Sequence, residues 1–281
     1  MCKQSEADVN GEITSPTSLP MYCLPEMEAA NSAFLAALQR RLRAKGIKAA
    51  ATSFDGNQGA MSDGAGPRSL FTQICGYPLF KHYREQYRLL ATPHYAMPGC
   101  VGSSHRAFFM VRADDPAERL ESLRGRIFGC NSLLSNSGMN LPRLSLARIA
   151  GGVPFFSSVV MTGAHVKSLE CLDQGSIDIC SIDNVTWGFF KKFRPSAAER
   201  YRILDETVSS PSLPFVTSMN TTDSDAFALA ETLFEIVNDP HSAHVCEALE
   251  LAGLSVPNIA AYERLADYER KAAELGFPEI K

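Results

Sequence analysis

Three serines, Ser132, Ser135 and Ser137, crowd the start of an apolar-periodic helix that runs to Ala150. One Ser, Asp or Asn is enough to cap a helix. The surplus hydroxyls need another use. The first turn of a helix leaves backbone N–H groups unpaired, and its dipole adds partial positive charge. Hydroxyls placed there donate alongside those N–H groups. Together they form a neutral cradle for a tetrahedral oxyanion, without a lysine. Ser135, Asn136 and Ser137 are adjacent, so their side chains and amides can reach different oxygens of one group. Gly138 lets the backbone approach closely. The plainer account is an ordinary cap behind a polar loop.

Four more residues have the chemistry to join them. His165 stands at a helix start in "TGAHVKS", Asp183 ends the apolar run "IDICSID", and Tyr22 and Tyr95 close the runs around 18–24 and 87–95. Each has an ordinary structural account: a core histidine, a helix N-cap, amphipathic packing of a phenol. Their shared position says more, because every one follows a predicted strand. Ligands of open α/β sheets bind beyond the carboxyl ends of the strands. The resulting rim carries hydroxyls, phenols, an imidazole and a carboxylate, with Gln73, Cys75, Gly76 and Asn184 close in sequence. Such a set suits hydrogen bonding better than nucleophilic attack or metal ligation.

The elements that must position these residues alternate. Strands are predicted at 18–24, 47–54, 70–76, 87–95 and 105–115, then at 126–130, 155–161, 177–183, 201–207 and 213–219. Helices lie over 25–46, from Pro78, over 137–150, 164–175 and 187–190, and through the tail 223–276 with a break near "GLSVPN". The alternation implies an α/β protein with parallel sheets covered on both faces. Ten strands exceed one ordinary sheet. Two lobes follow: a flexible segment 1–17, a first lobe from 18–111, a second from 112–205, and a return through 206–281 that completes the first.

The chain has 281 residues, 45% hydrophobic and 21% charged, with a formal net charge of −4. That gives a sizeable core and no basic field for nucleic acid or anionic membranes. No apolar run reaches membrane-span length, and the polar N-terminus lacks the apolar core of a signal peptide. Cys2 would also suit a lipoprotein trimmed of its signal. Eight cysteines without a CxxC pair argue against structural zinc and for a reducing compartment. A Cys75–Cys100 disulfide is the minority alternative. His241, His244 and Cys246 have a spacing that could hold metal, yet a solvated helix face is the expectation. The Gly-rich stretch 55–69 lacks the third glycine and following acid of a dinucleotide fingerprint. No metal and no cofactor are expected.

The run "LRGRIFGCNSLLSNSGMNLPR…PFFSSVVMTGAHVKSLECLDQGSIDICSIDNVTW" resembles the phosphonate- and phosphate-binding components of ABC transporters. "TQICGYPL…RLLATPHYAMPGC…SHRAFFMVR" is similar to the preceding segment of that family, and the likeness spans about residues 18–219. It implies a type II periplasmic-binding-protein fold, two α/β lobes closing by a hinge on an interlobe cleft. It also implies a small anionic ligand, an ABC permease as partner, a monomer and a periplasmic location. By the same resemblance Ser135, Asn136, Ser137, His165, Asp183, Tyr95 and Tyr22 hold the ligand. The sequence departs from the family twice. It shows no export signal, and the turn reads Ser-Asn-Ser where phosphonate binders tend to Ser-Thr-Ser.

Other functions fit parts of the pattern. A cytoplasmic sensor or biosynthetic enzyme on the same fold would explain the missing signal and the thiols. Ser135 or Ser137 with His165 and Asp183 supplies the residue types of a hydrolase triad, but without the Gly-x-Ser-x-Gly elbow. Asp183 beside an anion favours a ligand that is protonated or carries an ammonium.

Overall fold

A computed structural model describes residues 15–51 and 69–281. Most of the expected N-terminal segment, Cys2 and nearly all of the Gly-rich stretch lie outside the described residues. Strand β1 (Ser15–Thr17) leads to helix α1 (Glu28–Ala44) and β2 (Ala49–Ala51). Then come β3 (Thr72–Gln73), α2 (Gly76–Pro78) with a wide turn at Leu79–Tyr83, and β4 (Tyr87–Tyr95). The middle of the chain holds β5 (Ser104–His105), β6 (Ala107–Arg112), β7 (Ile127–Cys130), α3 (Leu141–Ala150), β8 (Ser158–Met161) and α4 (His165–Asp173). It continues with β9 (Ile179–Asp183), α5 (Asn184–Phe193), α6 (Pro195–Ala198) and β10 (Tyr201–Glu206). The return comprises β11 (Ser210–Pro211), β12 (Phe215–Ser218), α7 (Asp223–Asn238), α8 (Ala243–Ala248), β13 (Leu251–Ser255) and α9 (Ile259–Glu274).

Two main sheets result, a five-stranded one ordered β10-β6-β9-β7-β8 and a four-stranded one ordered β13-β4-β12-β3. The chain passes between them after β4 and again after β10. On those two passages β5 and β11 pair with each other, Ser210 opposite His105 and Pro211 opposite Ser104. This short antiparallel ladder is the hinge between the lobes.

Parallel pairing was expected throughout, and the structure corrects this. Among the described strands only β7–β8, β7–β9 and β1–β2 pair in parallel, with one further parallel bridge between Thr17 and Phe71; the four-stranded sheet is wholly antiparallel, and β6 runs antiparallel to both β9 and β10. Strand β6, expected in the first lobe, therefore lies inside the five-stranded sheet. The strand expected at 18–24 is absent, because Pro20 and Pro25 remove N–H donors from that run. A strand forms instead at Ser15–Thr17, inside the segment 1–17 that was expected to be flexible. The expected helix break near "GLSVPN" is in fact β13, paired with β4.

Local chemistry explains the elements that matter most. In α1 the buried Phe34, Leu35, Leu38 and Leu42 recur at helical spacing, Glu28 stands in the first turn, and Arg41 and Arg43 stand in the last. Strand β6 is buried on both faces. Phe108 and Met110 join the cluster shared with the four-stranded sheet, while Phe109 and Val111 join a second cluster around Phe128, Phe155 and Phe156. The C-terminal helix α9 and the residues after it join the second cluster and a smaller third one. Tyr262 and Leu265 pack with Cys75 and Tyr77, and Ala272, Phe277 and Ile280 fill the second cluster. The segment 206–281 thus serves more than the lobe it was expected to complete.

Candidate ligand-binding site

The serine turn takes its shape from a widened first turn. The N–H groups of both Met139 and Asn140 donate to Ser135 O, at 3.2 and 3.0 Å. The second of these bonds spans five residues, and such wide turns recur at functional sites. Ser135 caps the turn, its Oγ accepting from the Gly138 N–H at 2.9 Å. Its hydroxyl proton stays available to a ligand. Ser181 Oγ donates to Ser137 O at 2.7 Å, which fixes the turn to β9. Among the described residues the Ser137 N–H finds no acceptor. A Cβ on Gly138 would overlap the Asn131 carboxamide, which is itself buried. Gly138→Ala is expected to destabilise the fold by about 1–3 kcal/mol, read from the urea midpoint. An unchanged midpoint would show that Asn131 yields freely.

Each predicted residue lies on this rim. Ser137 Oγ and His165 Nε2 are 2.9 Å apart. Tyr22 and Tyr95 meet edge to face, ring centroids 5.2 Å apart, and Gln73 Nε2 donates to Tyr95 Oη at 2.9 Å. The Asn136 N–H donates to Cys75 Sγ at 3.4 Å, which joins the serine turn to the segment after β3. The Asn136 side chain is engaged at both ends, accepting from Asn140 Nδ2 and donating to Ser210 Oγ at 2.8 Å. It positions the turn instead of facing outward.

Asp183 is the electrostatic centre. It is 2% exposed, and its Oδ1 accepts from the N–H groups of Val185 and Thr186 at 2.9 and 3.2 Å, capping α5. Its Oδ2 lies 2.8 Å from Nδ1 of His105, a fully buried residue, off the line of a good hydrogen bond. Asp183, expected to accept hydrogen bonds from a protonated ligand or a ligand ammonium, is thus met by donors of the chain itself. Burial pushes its carboxyl up, but His105, His165 and the Thr186 N–H pull it down, and the net position is below the ordinary value.

The same charge reaches the other residues. Burial raises the phenols of Tyr22 and Tyr95, and Asp183 raises them further, so both remain protonated donors. Burial likewise pushes the thiols of Cys75 and Cys100 up to about 11, again with Asp183 adding to the effect. His165 goes the other way. Burial lowers it to about 4, with Asp183 opposing and His105 reinforcing the shift. Three buried polar atoms here have no hydrogen-bond partner: Tyr22 Oη, His165 Nδ1 and His105 Nδ1. Buried polar groups are normally satisfied. Unpartnered ones gathered at one rim mark a place where a ligand completes the network.

Two residues of this site, His105 and Ser210, escaped the sequence reading. Ser210 Oγ lies 3.0 Å from His105 Nε2 and accepts from Asn136, so the hinge ladder touches both the serine turn and Asp183. The signal that could have found them is weak: a histidine just before an apolar strand and a serine before a proline. All seven described cysteines are free, which removes the Cys75–Cys100 disulfide. No group of metal-binding side chains is found among the described residues, His241 and His244 included.

Two α/β lobes, a two-strand hinge and a buried polar site at strand ends make this a two-lobed binding protein of the type II periplasmic class. A family model described as the phosphonate periplasmic substrate-binding protein of ABC transporters matches residues 17–262. The chain belongs to that family of periplasmic substrate-binding proteins. No curated protein matches it by sequence. Among solved structures it is similar to a binding-protein component of an ABC phosphonate transporter from Pseudomonas aeruginosa. The identity is 12%, the TM-score 0.78, and 94% of this chain and 88% of that one are covered. It is also similar to PhnD1 from Prochlorococcus marinus in complex with methylphosphonate, at 12% identity, TM-score 0.75, and 93% and 98% coverage. XAC2383 from Xanthomonas citri, solved bound to ATP, shares 18% identity at TM-score 0.69, covering 93% and 98%.

Proposed function

We propose that the chain captures a small phosphonate, or a phosphonate-like oxyanion, between its lobes and presents it to an ABC permease. One observation carries this. The unpartnered Tyr22 Oη and His165 Nδ1 are buried beside a helix start whose Ser137 N–H is free. Ser135 and Ser137 supply hydroxyl and N–H donors to the phosphonate oxygens. Tyr22, Tyr95 and a neutral His165 complete the cradle, and Asn136 holds the turn. Among the described residues no buried lysine or arginine bonds to Ser135, Ser137, His165, Tyr22 or Tyr95, and the buried Arg143 braces Asn140 instead, so affinity comes from aimed neutral donors and the helix dipole. The two lobes divide near the β5–β11 ladder, and the chain acts as a monomer in the periplasm.

The test is a thermal-shift screen with phosphate, phosphite, methylphosphonate, ATP and sulfonates. A ligand at a hundred times its Kd stabilises the fold by about 2.7 kcal/mol. No shift with any tetrahedral anion would sink the proposal, and a shift with ATP alone would redirect it. Ser137→Ala is expected to weaken binding about 10- to 100-fold, the value of one hydrogen bond to a charged group. Ser135→Ala should also cost about 1 kcal/mol of stability through the lost cap. Titration calorimetry and urea melts separate the two effects.

A hydrolase is not favoured. His165 meets Ser137, but its Nδ1 has no carboxylate, because Asp183 faces His105. Ser210, His105 and Asp183 do stand in triad order. The Ser210 hydroxyl, however, is locked between Asn136 Nδ2 and Pro211 O inside the hinge ladder. Activated esters are expected to show no turnover above buffer.

A further inference from the structure

Asp183 is the one buried carboxylate at this site, and the chain already engages it. Its Oδ1 takes two backbone N–H groups and its Oδ2 faces His105. A carboxylate offers about four lone-pair sites; two backbone N–H groups hold Oδ1 and the fully buried His105 ring stands 2.8 Å from Oδ2, which leaves little room for a ligand donor. Among the described residues the only other acid this buried is Asp115, which pairs with Arg126 at 2.7 Å in the second core. Among the described residues a ligand ammonium would therefore find no free buried carboxylate.

A second observation points the same way. A cavity of about 10 Å³, room for about one water-sized sphere, adjoins the two tyrosines. Its wall is mostly apolar, with Leu19, Met27, Phe189 and Phe215 beside the two tyrosines, and its other polar groups are the neutral carboxamides of Asn31 and Gln73; no charged side chain lines it. Its Gln73 amide N–H groups are spent on Tyr95 Oη and Leu213 O. An alkyl group gains from such a wall, whereas an ammonium there exchanges its water for neutral acceptors only, with no carboxylate to balance its charge.

We infer that the ligand is a phosphonate with a small apolar substituent, not an aminated one, and that His105 sets this preference by occupying Asp183 from the hinge. The inference rests on the proposed function. It reverses the sequence expectation that Asp183 signals a protonated or zwitterionic ligand. His105 acts as a positioning residue: it reaches the ligand only through Asp183 and through Ser210 and Asn136.

The experiment is calorimetric titration of the full chain with methyl-, ethyl- and aminomethylphosphonate near neutral pH. Ethyl- and aminomethylphosphonate differ only by a methyl against an ammonium. The amine is expected to bind at least tenfold more weakly than the tighter alkyl ligand. Equal or tighter binding of the amine overturns the inference while leaving the proposed function standing. Binding of none of the three overturns the proposed function itself. His105→Leu frees Asp183 and should narrow the gap at least tenfold; an unchanged gap in a folded variant counts against His105. Should that variant not fold, Asp183→Asn decides, since it keeps the helix cap. Its alkyl-to-amine ratio is expected to stay within threefold of the parent, and selective loss of the amine would show that Asp183 holds the ammonium after all.

Discussion

Asp183→Ala is expected to lower the unfolding free energy by about 2–4 kcal/mol, the combined cost of a lost helix cap and of a buried polar group left without its neighbour. Two losses combine. His105, fully buried, keeps its imidazole facing Asp183 and would be left facing nothing. The N–H groups of Val185 and Thr186 lose their acceptor at the start of α5. The second loss also appears in ordinary caps, at about 1 kcal/mol. Asp183→Asn keeps the cap and removes only the charge, so it should fall between parent and alanine variant. Urea melts with an unchanged slope give the comparison. An alanine variant within about 1 kcal/mol of the parent would mean that His105 is satisfied elsewhere, and the hinge would lose its tie to the site.

Acid should weaken the fold well before the carboxylates titrate, and His165 is the reason. Its folded pKa, about 4, lies below its ordinary 6.5. Between those values the unfolded chain binds a proton that the folded chain refuses. Stability is therefore complete above pH 6.5 and lost as pH falls toward about 4. A shift of this size corresponds to at most about 3 kcal/mol. His165 is only half-buried as a residue, so the measured loss should be smaller, about 1–3 kcal/mol. Asp183 acts in the same direction but lower. Its depressed pKa contributes stability above the ordinary carboxylate range, lost as pH falls through the folded value. Melting temperature followed from pH 7.5 to 4.5 should show a decline in the parent that His165→Gln largely removes. A variant with the same decline would place the titrating group elsewhere. Bound methylphosphonate should steepen the parent's decline if the neutral imidazole is the form that holds it.

Much of the candidate site was readable because its signals are local. A serine surplus at a helix start, Gly138 behind it, and a histidine or aspartate directly after an apolar run are facts of neighbouring residues. The structure brings Ser135, Ser137, His165, Asp183, Tyr22 and Tyr95 to one rim. Asn136 shows the limit of that logic. Its position was evident, but the engagement of its carboxamide by Asn140 and Ser210 depends on residues 4 and 74 positions away. The short β1 and the strand β13 were missed because three to five residues with mixed polarity carry no clear period.

Strand direction was the larger omission. Hydrophobic alternation marks a strand but not which way its neighbour runs. With all strands parallel, the start of β6 would lie at the far end of the sheet from the end of β9. In the folded chain β6 and β9 are antiparallel, with Ala107 opposite Asp183. That register carries His105, two residues earlier, to the carboxylate. The sequence by itself determined the residue types at the strand ends, the α/β class and the caps, because each follows from chemistry within a few residues. Only the tertiary structure decided that Asp183 faces a histidine from the hinge, because pairing direction is set by the long-range burial of both faces of β6.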